Sequence, residues 1–344
     1  MSKIDIKAMI KDLKKNELTE LISVAQEVLS TLFNSSEIRD NVKESRFSKG
    51  YECPKCQCKD VNKNGKSNGR QRYICKRCRT SFDEFTMSPF SNTKLGLDKW
   101  IKYCELMILG LSIRKCAEEV GVGVKTSFYM RHRILDVINL SLKNDKVEVD
   151  ECFIKESFKG NHSKSTTFVM PRNPRKRGKG KNDKKKRGIS KEQICIETAI
   201  DRKGNILMSA VCNGRITTNQ IINFFDNKIC EDATFCVDSH KSYMAIKDKL
   251  NIELKQVPRG KSMIDSVYHL QHINALHSSF KRWLMTFNGV STKYINNYLA
   301  WFKFLQLSKK NKKNDRIKDM LVNVATKDTY VTRATIRNRF IELI

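Results

Sequence analysis

The sequence predicts a multidomain α+β protein, and three observations lead to that fold class. The chain of 344 residues is long enough for two or three domains with full hydrophobic cores. Apolar residues recur at helical spacing in long segments before residue 142, whereas they alternate with polar residues just after Asn144. A cysteine-rich segment with little apolar material separates two of the helical segments. We therefore expect small helical and metal-stabilised modules first, followed by a larger domain of strands and helices.

The chain is strongly basic. It contains 66 Lys and Arg against 37 Asp and Glu, a formal net charge of +29, which predicts attraction to polyanions such as nucleic acid. A membrane partner is not expected, because there is no run of about 18 apolar residues and the N-terminus lacks the apolar stretch of a signal peptide. Twelve Cys residues without a secretory signal indicate a reducing compartment. The expected localisation is therefore cytoplasmic.

Residues 1–48 are expected to form a helical segment and a linker. An apolar stripe at spacings of three and four predicts a helix to about Phe33 that serves packing or oligomerisation. Its members are Leu18, Leu21, Ile22, Ala25, Leu29 and Leu32. The polar, charged stretch from Asn34 to about Lys49 predicts a linker.

Residues 49–88 are expected to form a zinc ribbon. Two CxxC pairs flank a Gly/Asn-rich turn, and each pair aims two thiolates at one point, which completes a tetrahedral S4 site for one structural Zn²⁺. The predicted ligands are Cys53, Cys56, Cys75 and Cys78. The alternative is four unrelated buried thiols, and Cys58 is either a bystander or a competing ligand. Basic residues suggest nucleic-acid contact by this segment, namely Arg70, Arg72, Lys76, Arg77 and Arg79.

Residues 93–142 show the pattern of a helix-turn-helix DNA-binding domain. One helix to about Leu109 and a second from Ser112 to Val120 precede a Gly-containing turn and a third helix from about Lys125. The predicted DNA contacts of the third helix are Lys125, Arg131 and Arg133. Because many helical hairpins share this pattern, a three-helix unit that only packs is the alternative.

Residues 145–306 follow the element order of an RNase H-like α/β catalytic domain. Alternation in "KVEVDECFIKESF" predicts a first strand, a Gly/Lys-rich insert over 170–190 predicts a loop, and a hairpin of two strands follows. A helix, a strand, a helix, a strand and a long helix complete the order. In that fold Asp150 reaches the centre of the sheet, Asp238 ends the neighbouring strand, and the last helix turns Asn274 and Lys281 toward both.

These residue types suit phosphoryl transfer. Two Mg²⁺ (or Mn²⁺) ions about 4 Å apart activate the attacking oxygen and stabilise the leaving oxygen, and Mg²⁺ prefers hard oxygen ligands. Asp150, Asp238 and Asn274 are the predicted ligands, and Lys281 is predicted to reach substrate phosphate from the same helical face. The structural alternatives are a strand-end carboxylate for Asp150, a helix N-cap for Asp238 and a solvated helix stripe. Further candidates in the same elements are Glu148, Glu151 and His277.

Seven stretches, taken in order, carry a resemblance to a known family. They are "CPKC", "CKRC", "VEVDE", "KRGISKEQICIETAIDRKGN", "VDSHKSY", "HINALHSSFKRWL" and "FNGVSTKYINNYLAWF", between about Tyr51 and Phe304. The chain resembles the bacterial insertion-sequence DDE-type transposases of the Merlin-related, ISXO-type group, in the branch whose active-site set reads Asp, Asp, Asn, Lys. It departs from the family at Cys152 and Phe153 and in its N-terminal helix. Residues 307–344 lie outside the resemblance, and we expect them to form a basic helical tail.

The resemblance implies a DNA transposase that binds the terminal repeats of an insertion sequence and catalyses metal-dependent strand cleavage and strand transfer. Its expected partner is double-stranded DNA, both as terminal inverted repeats and as target, and its expected location is the bacterial nucleoid. A homodimer or higher oligomer is expected on DNA, because joining two ends requires at least two protomers. The alternatives are a non-catalytic DNA-binding regulator derived from a transposase and a DNA nuclease of the same fold.

Overall fold

The structure is a computed structural model whose description covers most of the chain. The described residues are 14–67, 69–138, 146–161, 168–171, 188–229, 233–238, 241–258, 261, 263–264, 267–327, 329 and 331–344. The chain divides into two compact units, unit one (Met1–Arg133 and Lys312–Tyr330) and unit two (Ile134–Asn311 and Val331–Ile344). Within the described residues, no helix is both long and apolar enough to cross a membrane. Most of the insert that we predicted as a loop, residues 172–187, lies outside the described residues.

The described residues contain both helices and sheets, in agreement with the predicted α+β class. The helices are α1 Lys15–Arg46, α2 Leu97–Ile108, α3 Ile113–Val120, α4 Val124–Leu135, α5 Thr218–Phe225, α6 Lys241–Met244, α7 Lys247–Leu250, α8 Gln271–Met285, α9 Ile295–Leu307, α10 Lys313–Ala325 and α11 Arg333–Arg337. The strands are β1 Val61–Ser67, β2 Arg70–Cys75, β3 Ser81–Phe82, β4 Lys146–Lys155, β5 Gln193–Asp201, β6 Ile206–Asn213, β7 Thr234–Val237, β8 Glu253–Gln256, β9 Met263–Ile264 and β10 Tyr268–His269.

Helix α1 is longer than the sequence predicts. We predicted a linker over residues 34–49, but the helix continues to Arg46. Ile38 and Val42, which lie one helical turn apart, are both buried. Arg46 also donates hydrogen bonds to two backbone carbonyl oxygens of unit one. These contacts keep a polar stretch helical, because tertiary packing overrides the weak preference of its composition.

The cysteine-rich segment forms a three-stranded antiparallel sheet in the order β1-β2-β3. Its core is small, with the Tyr73 and Phe82 rings 5.7 Å apart beside the buried Cys53 and Cys75. Phe47, just after α1, adds an edge contact with Tyr73 at 5.6 Å. With so little apolar material, a bound metal would contribute much of the folding free energy of this module.

Helices α2, α3 and α4 are joined by buried hydrogen bonds. Ser112 caps α3 by accepting from a backbone N–H of its first turn, and Gly121 ends α3 in the left-handed conformation at φ 65°. The Tyr103 hydroxyl donates to the carbonyl oxygen of Ser127 at 2.5 Å, and Ser127 Oγ donates to the carbonyl oxygen of Ile113 at 2.8 Å. The turn at residues 121–123 between α3 and α4 is therefore short and firmly held.

Unit two is built on a five-stranded sheet in the order β6-β5-β4-β7-β8. β5 pairs antiparallel with both β4 and β6, whereas β7 runs parallel to β4, and β8 runs parallel to β7. The first strand of this unit is therefore central, with β5 on one side and β7 on the other. The central position of β4 agrees with the sequence prediction.

Both faces of this sheet are covered by helices. Val147 and Val149 of β4 belong to a core that contains Phe224 of α5, and Cys152 belongs to a second core with Phe280 of α8. Because side chains alternate along a strand, consecutive residues of β4 point to opposite faces. Positions 148, 150 and 152 of β4 therefore face α8.

Residues 307–344, which we predicted to form a basic helical tail, contain the helices α10 and α11 but are divided between the two units. α10 belongs to unit one, whereas residues 331–344 belong to unit two. α10 buries an apolar face made of Ile317, Met320, Leu321, Val324 and Ala325. In unit two, both Nη atoms of Arg339 donate to the carboxylate of Asp136. The lysine-rich start of this region hid the apolar spacing that follows it.

Candidate active site and metal centres

Asp150 lies in the middle of the central strand, where its carboxylate is largely buried. It pairs across the sheet with Thr198 of β5, and 22% of its side chain is exposed. Asp238 directly follows β7, the parallel neighbour of β4. Burial raises the pKa of Asp150 to about 7, the charges of Glu151 and Asp238 act in the same direction, and Lys281 opposes them. The site therefore concentrates negative charge beside the C-terminal end of β7, where that strand neighbours β4.

Helix α8 lies over this site with three polar residues on one face. Asn274, His277 and Lys281 are separated by three and four residues, so their side chains project from the same side of the helix. His277 Nδ1 lies 3.6 Å from Asp150 Oδ2. Burial, followed by the charge of Lys281, lowers the pKa of His277 to about 4. Burial is thus the main cause of the pKa shifts of both Asp150 and His277. Near pH 7 the imidazole that contacts Asp150 is therefore neutral.

The predicted set is brought together in part. Asp150 interacts electrostatically with Asp238 and Lys281, and Lys281 is an exposed residue. Asn274 is exposed one turn before His277, and among the described residues no hydrogen bond joins its amide to these carboxylates. Asn274 is therefore an exposed residue on the helix face that covers Asp150.

The opposite face of β4 carries the candidate Glu151 beside an acidic residue, Glu197, that the sequence prediction missed. Glu151 pairs across the strands with Glu197 of β5, and Glu197 is fully buried. The Tyr243 hydroxyl donates to Glu197 Oε1 at 3.0 Å. Burial, and then the charge of Glu151, raise the pKa of Glu197 well above its ordinary value. The available signal was a lone Glu inside the apolar strand "QICIETAID", since carboxylates are rarely fully buried without a partner.

A second group lies where β4, the β5–β6 hairpin and the start of α8 meet. Glu148, His269 and His272 offer ligand atoms within 4.8 Å of one another. Arg202 Nη1 occupies the centre of this group, 2.9 Å from Glu148 Oε1, 2.9 Å from His269 Nε2 and 3.2 Å from His272 Nδ1. A cation of the chain itself therefore neutralises this buried carboxylate. The sequence signal was the closely spaced histidines of "YHLQH".

The four predicted zinc ligands converge in the ribbon. The sulfurs of Cys53 and Cys78 lie 3.5 Å apart, those of Cys56 and Cys75 lie 3.6 Å apart, and all four atoms fall within 4.8 Å of one another. This separation suits a tetrahedral S4 site, and the group does not include Cys58.

Hydrogen bonds prepare part of the thiol group for metal. The side chain of Thr80 lowers the pKa of Cys78 to about 6, and the backbone N–H of Cys78 lowers the pKa of Cys75. The backbone of Cys58 lowers the pKa of Cys56, but the neighbouring Cys78 thiol and burial outweigh it and raise that pKa to about 12. Zinc binds thiolates, so metal binding would draw protons from this mixed group.

The predicted DNA contacts divide into exposed and internal residues. Lys125 is exposed at the start of α4, and Arg72 is exposed while it donates to Ser81 Oγ at 2.8 Å. The prediction is wrong for Arg131, which is fully buried and donates from Nη2 to the carbonyl oxygen of Leu111 at 2.6 Å. Lys125 and Arg131 differ because their side chains leave α4 in different directions. The basic composition of the segment does not reveal those directions.

The two remaining arginines are engaged inside unit one. Arg133 is half-buried and donates to the carbonyl oxygens of Pro89 and Ser91, both at 3.3 Å. Arg70 forms an ion pair with Asp83 at 3.1 Å and is also half-buried. Their guanidinium groups hold neighbouring loops in place, which limits their reach toward an external phosphate.

Comparison with known proteins identifies the family. Residues 143–306 match the ISXO2-like transposase domain. A protein described as an uncharacterized protein in transposable element ISH50 of Halobacterium salinarum is 24% identical over 262 residues, which cover 75% of this chain and 86% of that protein. Both matches support a transposase of the class that moves insertion sequences. More closely, residues 143–306 match the ISXO2-like family.

Two solved structures show a distant likeness. One is a simian T-cell lymphotropic virus intasome in complex with PP2A regulatory subunit B56 gamma, with 8% identity, a TM-score of 0.25 and coverage of 52% of this chain. The other is a pre-cleavage Mos1 transpososome, with 13% identity, a TM-score of 0.22 and coverage of 70%. The chain spans 56% and 66% of those two chains, less than two thirds of each.

Proposed function

We propose that this transposase binds the terminal repeats of its insertion sequence, cleaves them and transfers their strands to target DNA in a Mg²⁺- or Mn²⁺-dependent reaction. The observation that carries the proposal is the pair of Asp150 and Asp238 on adjacent strands, with Lys281 of α8 acting on the same group. The sheet order, with the first strand central and the fourth beside it, supports an RNase H-like catalytic domain at 145–306.

The donor set fits divalent metal ions. Burial raises the pKa values of Asp150 and Glu151, the charge of Asp238 acts in the same direction on both, and Lys281 and Arg215 only partly offset these effects. Mg²⁺ prefers such hard oxygen donors. Asp150, Asp238 and the Asn274 amide oxygen would hold two ions, whose charge would favour phosphoryl transfer.

Each of the remaining polar residues of α8 has a role that its position supports. Lys281, exposed beside the carboxylates, would bind a substrate phosphate oxygen by a charge-assisted hydrogen bond. His277 stays neutral against Asp150 and would hold the orientation of that carboxylate. Because Asn274 replaces a carboxylate with an amide, metal affinity would depend more on substrate phosphates.

DNA recognition is assigned to the exposed basic residues of unit one. Lys125 lies at the N-terminal end of α4, the end at which a second helix of a helix-turn-helix contacts base edges. Arg72 and neighbouring lysines lie on the ribbon surface, where phosphate contacts would fix the register on the duplex. The ribbon would hold one structural Zn²⁺ through its four convergent thiols. Two or more protomers would act together, because two DNA ends must be joined.

A strand-transfer assay with pre-cut terminal DNA tests this function. The full chain with Mg²⁺ should join the labelled 3′ end to a target duplex, and the Asp150→Ala variant should bind the same DNA without joining it. Cleavage of intact ends without any joining would identify a nuclease instead. Binding without either reaction, at any Mg²⁺ or Mn²⁺ concentration, would identify a regulator.

A further inference from the structure

Glu148 is a buried carboxylate that the metal site does not use. It lies two residues before Asp150 on the same face of β4, and only 2% of it is exposed. A buried carboxylate is costly unless hydrogen bonds and opposite charge compensate it. The groups that contact the Glu148 carboxylate therefore indicate its role in the fold.

The carboxylate of Glu148 caps helix α8 from the adjacent strand. Its Oε2 accepts the backbone N–H of Ile273 at 3.1 Å, and its Oε1 lies 2.7 Å from His272 Nδ1. The first turn of a helix exposes N–H groups that have no partner within the helix, and it favours a negative charge. Leu270, the residue before α8, supplies no side-chain cap, and His269 Nδ1 accepts the backbone N–H of Gln271 at 3.3 Å. Glu148 therefore satisfies a further N–H of the first turn, that of Ile273, from another element.

Arg202, in the turn between β5 and β6, also contacts the Glu148 carboxylate. Its Nη1 donates to Glu148 Oε1 at 2.9 Å, and its Nη2 donates to the carbonyl oxygen of Val267 at 2.8 Å. The segment that leads into α8 is thus tied to the same carboxylate as the first turn of the helix. His269, at the end of this segment, contacts the same guanidinium at 2.9 Å.

We propose that Glu148 is a positioning residue that sets the height and rotation of α8 over β4 and so holds Asn274 on the helix face that covers Asp150. Asn274 directly follows Ile273, whose N–H Glu148 accepts, and one residue of helix corresponds to about 100° of rotation and 1.5 Å of rise. A small shift of the first turn would therefore change the position of Asn274 relative to the carboxylates. This inference rests on the proposed role of Asn274 as a metal ligand.

The test compares Glu148→Ala and Glu148→Gln with Asp136→Asn in the full chain. Asp136 is a matched control, because it is also a carboxylate of unit two buried against an arginine, Arg339, and among the described residues no hydrogen bond or ion pair joins it to α8. Three quantities are measured: Mn²⁺ affinity without DNA by electron paramagnetic resonance, binding of terminal DNA, and the melting temperature. Gln keeps volume and an acceptor for the Ile273 N–H, so it carries the test if the Ala variant does not fold.

Glu148→Ala should weaken Mn²⁺ binding by about 10- to 100-fold, the usual effect of removing a group that orients a metal ligand. Glu148→Gln should give a smaller loss, DNA binding should stay within about twofold of the unaltered protein, and Asp136→Asn should lower the melting temperature without changing Mn²⁺ affinity. In an Asn274→Ala background, Glu148→Gln should add little further loss, because the residue that it positions is already gone.

Two outcomes would overturn the inference. Glu148 variants that lose melting temperature like Asp136→Asn but keep full Mn²⁺ affinity would give Glu148 a purely structural role. Full additivity of Glu148→Gln with Asn274→Ala would show that the two residues act independently. Failure of the proposed function is distinguishable, because Asn274→Ala alone would then leave Mn²⁺ binding and cleavage unchanged.

Discussion

Asp150 lies among carboxyl groups whose mutual repulsion is only partly compensated by the chain. Glu151 and Asp238 act against its ionisation, and the imidazole of His277 is held neutral beside it. A bound cation would stabilise the ionised form of such a carboxyl group. Removal of the carboxyl group would therefore weaken binding of the cation. Three predictions follow at the scale of single residues.

Asp150→Ala or Asp238→Ala should abolish cleavage of terminal DNA while DNA binding stays near the level of the unaltered protein. The loss of a metal ligand acts on the transition state and not on the groove contacts. Cleavage rates and binding constants are measured side by side, with Asp248→Ala as a control because that carboxylate is exposed on α7. Residual cleavage within about tenfold, a loss of about 1.4 kcal/mol, would place the metal site elsewhere.

Asn274→Ala should abolish cleavage, whereas Asn274→Asp should retain part of it with an altered Mg²⁺ dependence, because Asp keeps an oxygen at similar reach. Lys281→Ala should cause a partial loss, on the order of 1.5–3 kcal/mol, divided between substrate engagement and rate. The measurement is cleavage at several Mg²⁺ concentrations. A fully active Asn274→Ala protein would make Asn274 a surface residue, since Ala favours a helix more than Asn does.

Lys303→Met should stabilise the protein. Lys303 of α9 is 5% exposed, and burial, followed by the charge of Lys228, lowers its pKa from 10.5 to about 8. Between these two pH values the unfolded chain binds more protons than the folded chain, so the contribution of Lys303 to stability rises with pH in that window. Below pH 8 both states are charged, and the full cost of burial, at most about 3 kcal/mol, applies.

Thermal unfolding from pH 7 to pH 10 measures this effect. The gain from Lys303→Met should be largest at pH 7 and should shrink as the pH rises through 8. Lys309→Met is the control, because Lys309 is exposed just after α9. An equal gain at every pH would indicate packing by Met and not relief of a buried charge.

At the scale of elements, the four-cysteine segment, which we propose as a zinc ribbon, gives the clearest prediction. Protein purified under reducing conditions should contain one Zn²⁺ per chain, and Cys53→Ser should lose it, because Cys53 is a buried member of the four-thiol group. Cys58→Ser should keep it, since its sulfur is not in that group. Metal content by mass spectrometry checks both variants, and equal zinc in the two would refute the assignment.

The elements also show what the sequence reveals and what it does not. Alternation in β4 and the spacing of the paired cysteines are local patterns, and both predictions agree with the structure. The buried position of Arg131 and the helical continuation past residue 34 depend on which neighbours pack against a segment. Glu197 was missed for the same reason, because only its strand partner places it beside Glu151. Local chemistry was therefore predictable, whereas the direction of a side chain within the fold was not.

At the scale of the whole molecule, the net charge of +29 predicts a strong salt dependence of DNA binding. If about 8 phosphates are neutralised, log K should fall with log salt at a slope of roughly −7. Arg72→Ala should reduce this slope by about 1, because a proposed phosphate contact on the exposed ribbon surface is lost. Arg131→Ala should leave the slope unchanged and lower the melting temperature instead, because that guanidinium is buried. A nearly flat salt dependence would exclude phosphate contacts as the main source of affinity.

The division of each unit between two stretches of the chain has a consequence for synthesis. α10 supplies a buried face to unit one, and Arg339 ties the last residues to Asp136 in unit two. A nascent chain on the ribosome therefore holds both units incomplete until its final segment has emerged. A polypeptide released early would lack α10, so unit one, to which we assign the proposed DNA contacts, would remain incomplete in any product without the whole of residues 145–306. The order of translation would thus make the proposed binding of DNA ends depend on synthesis of the proposed catalytic domain.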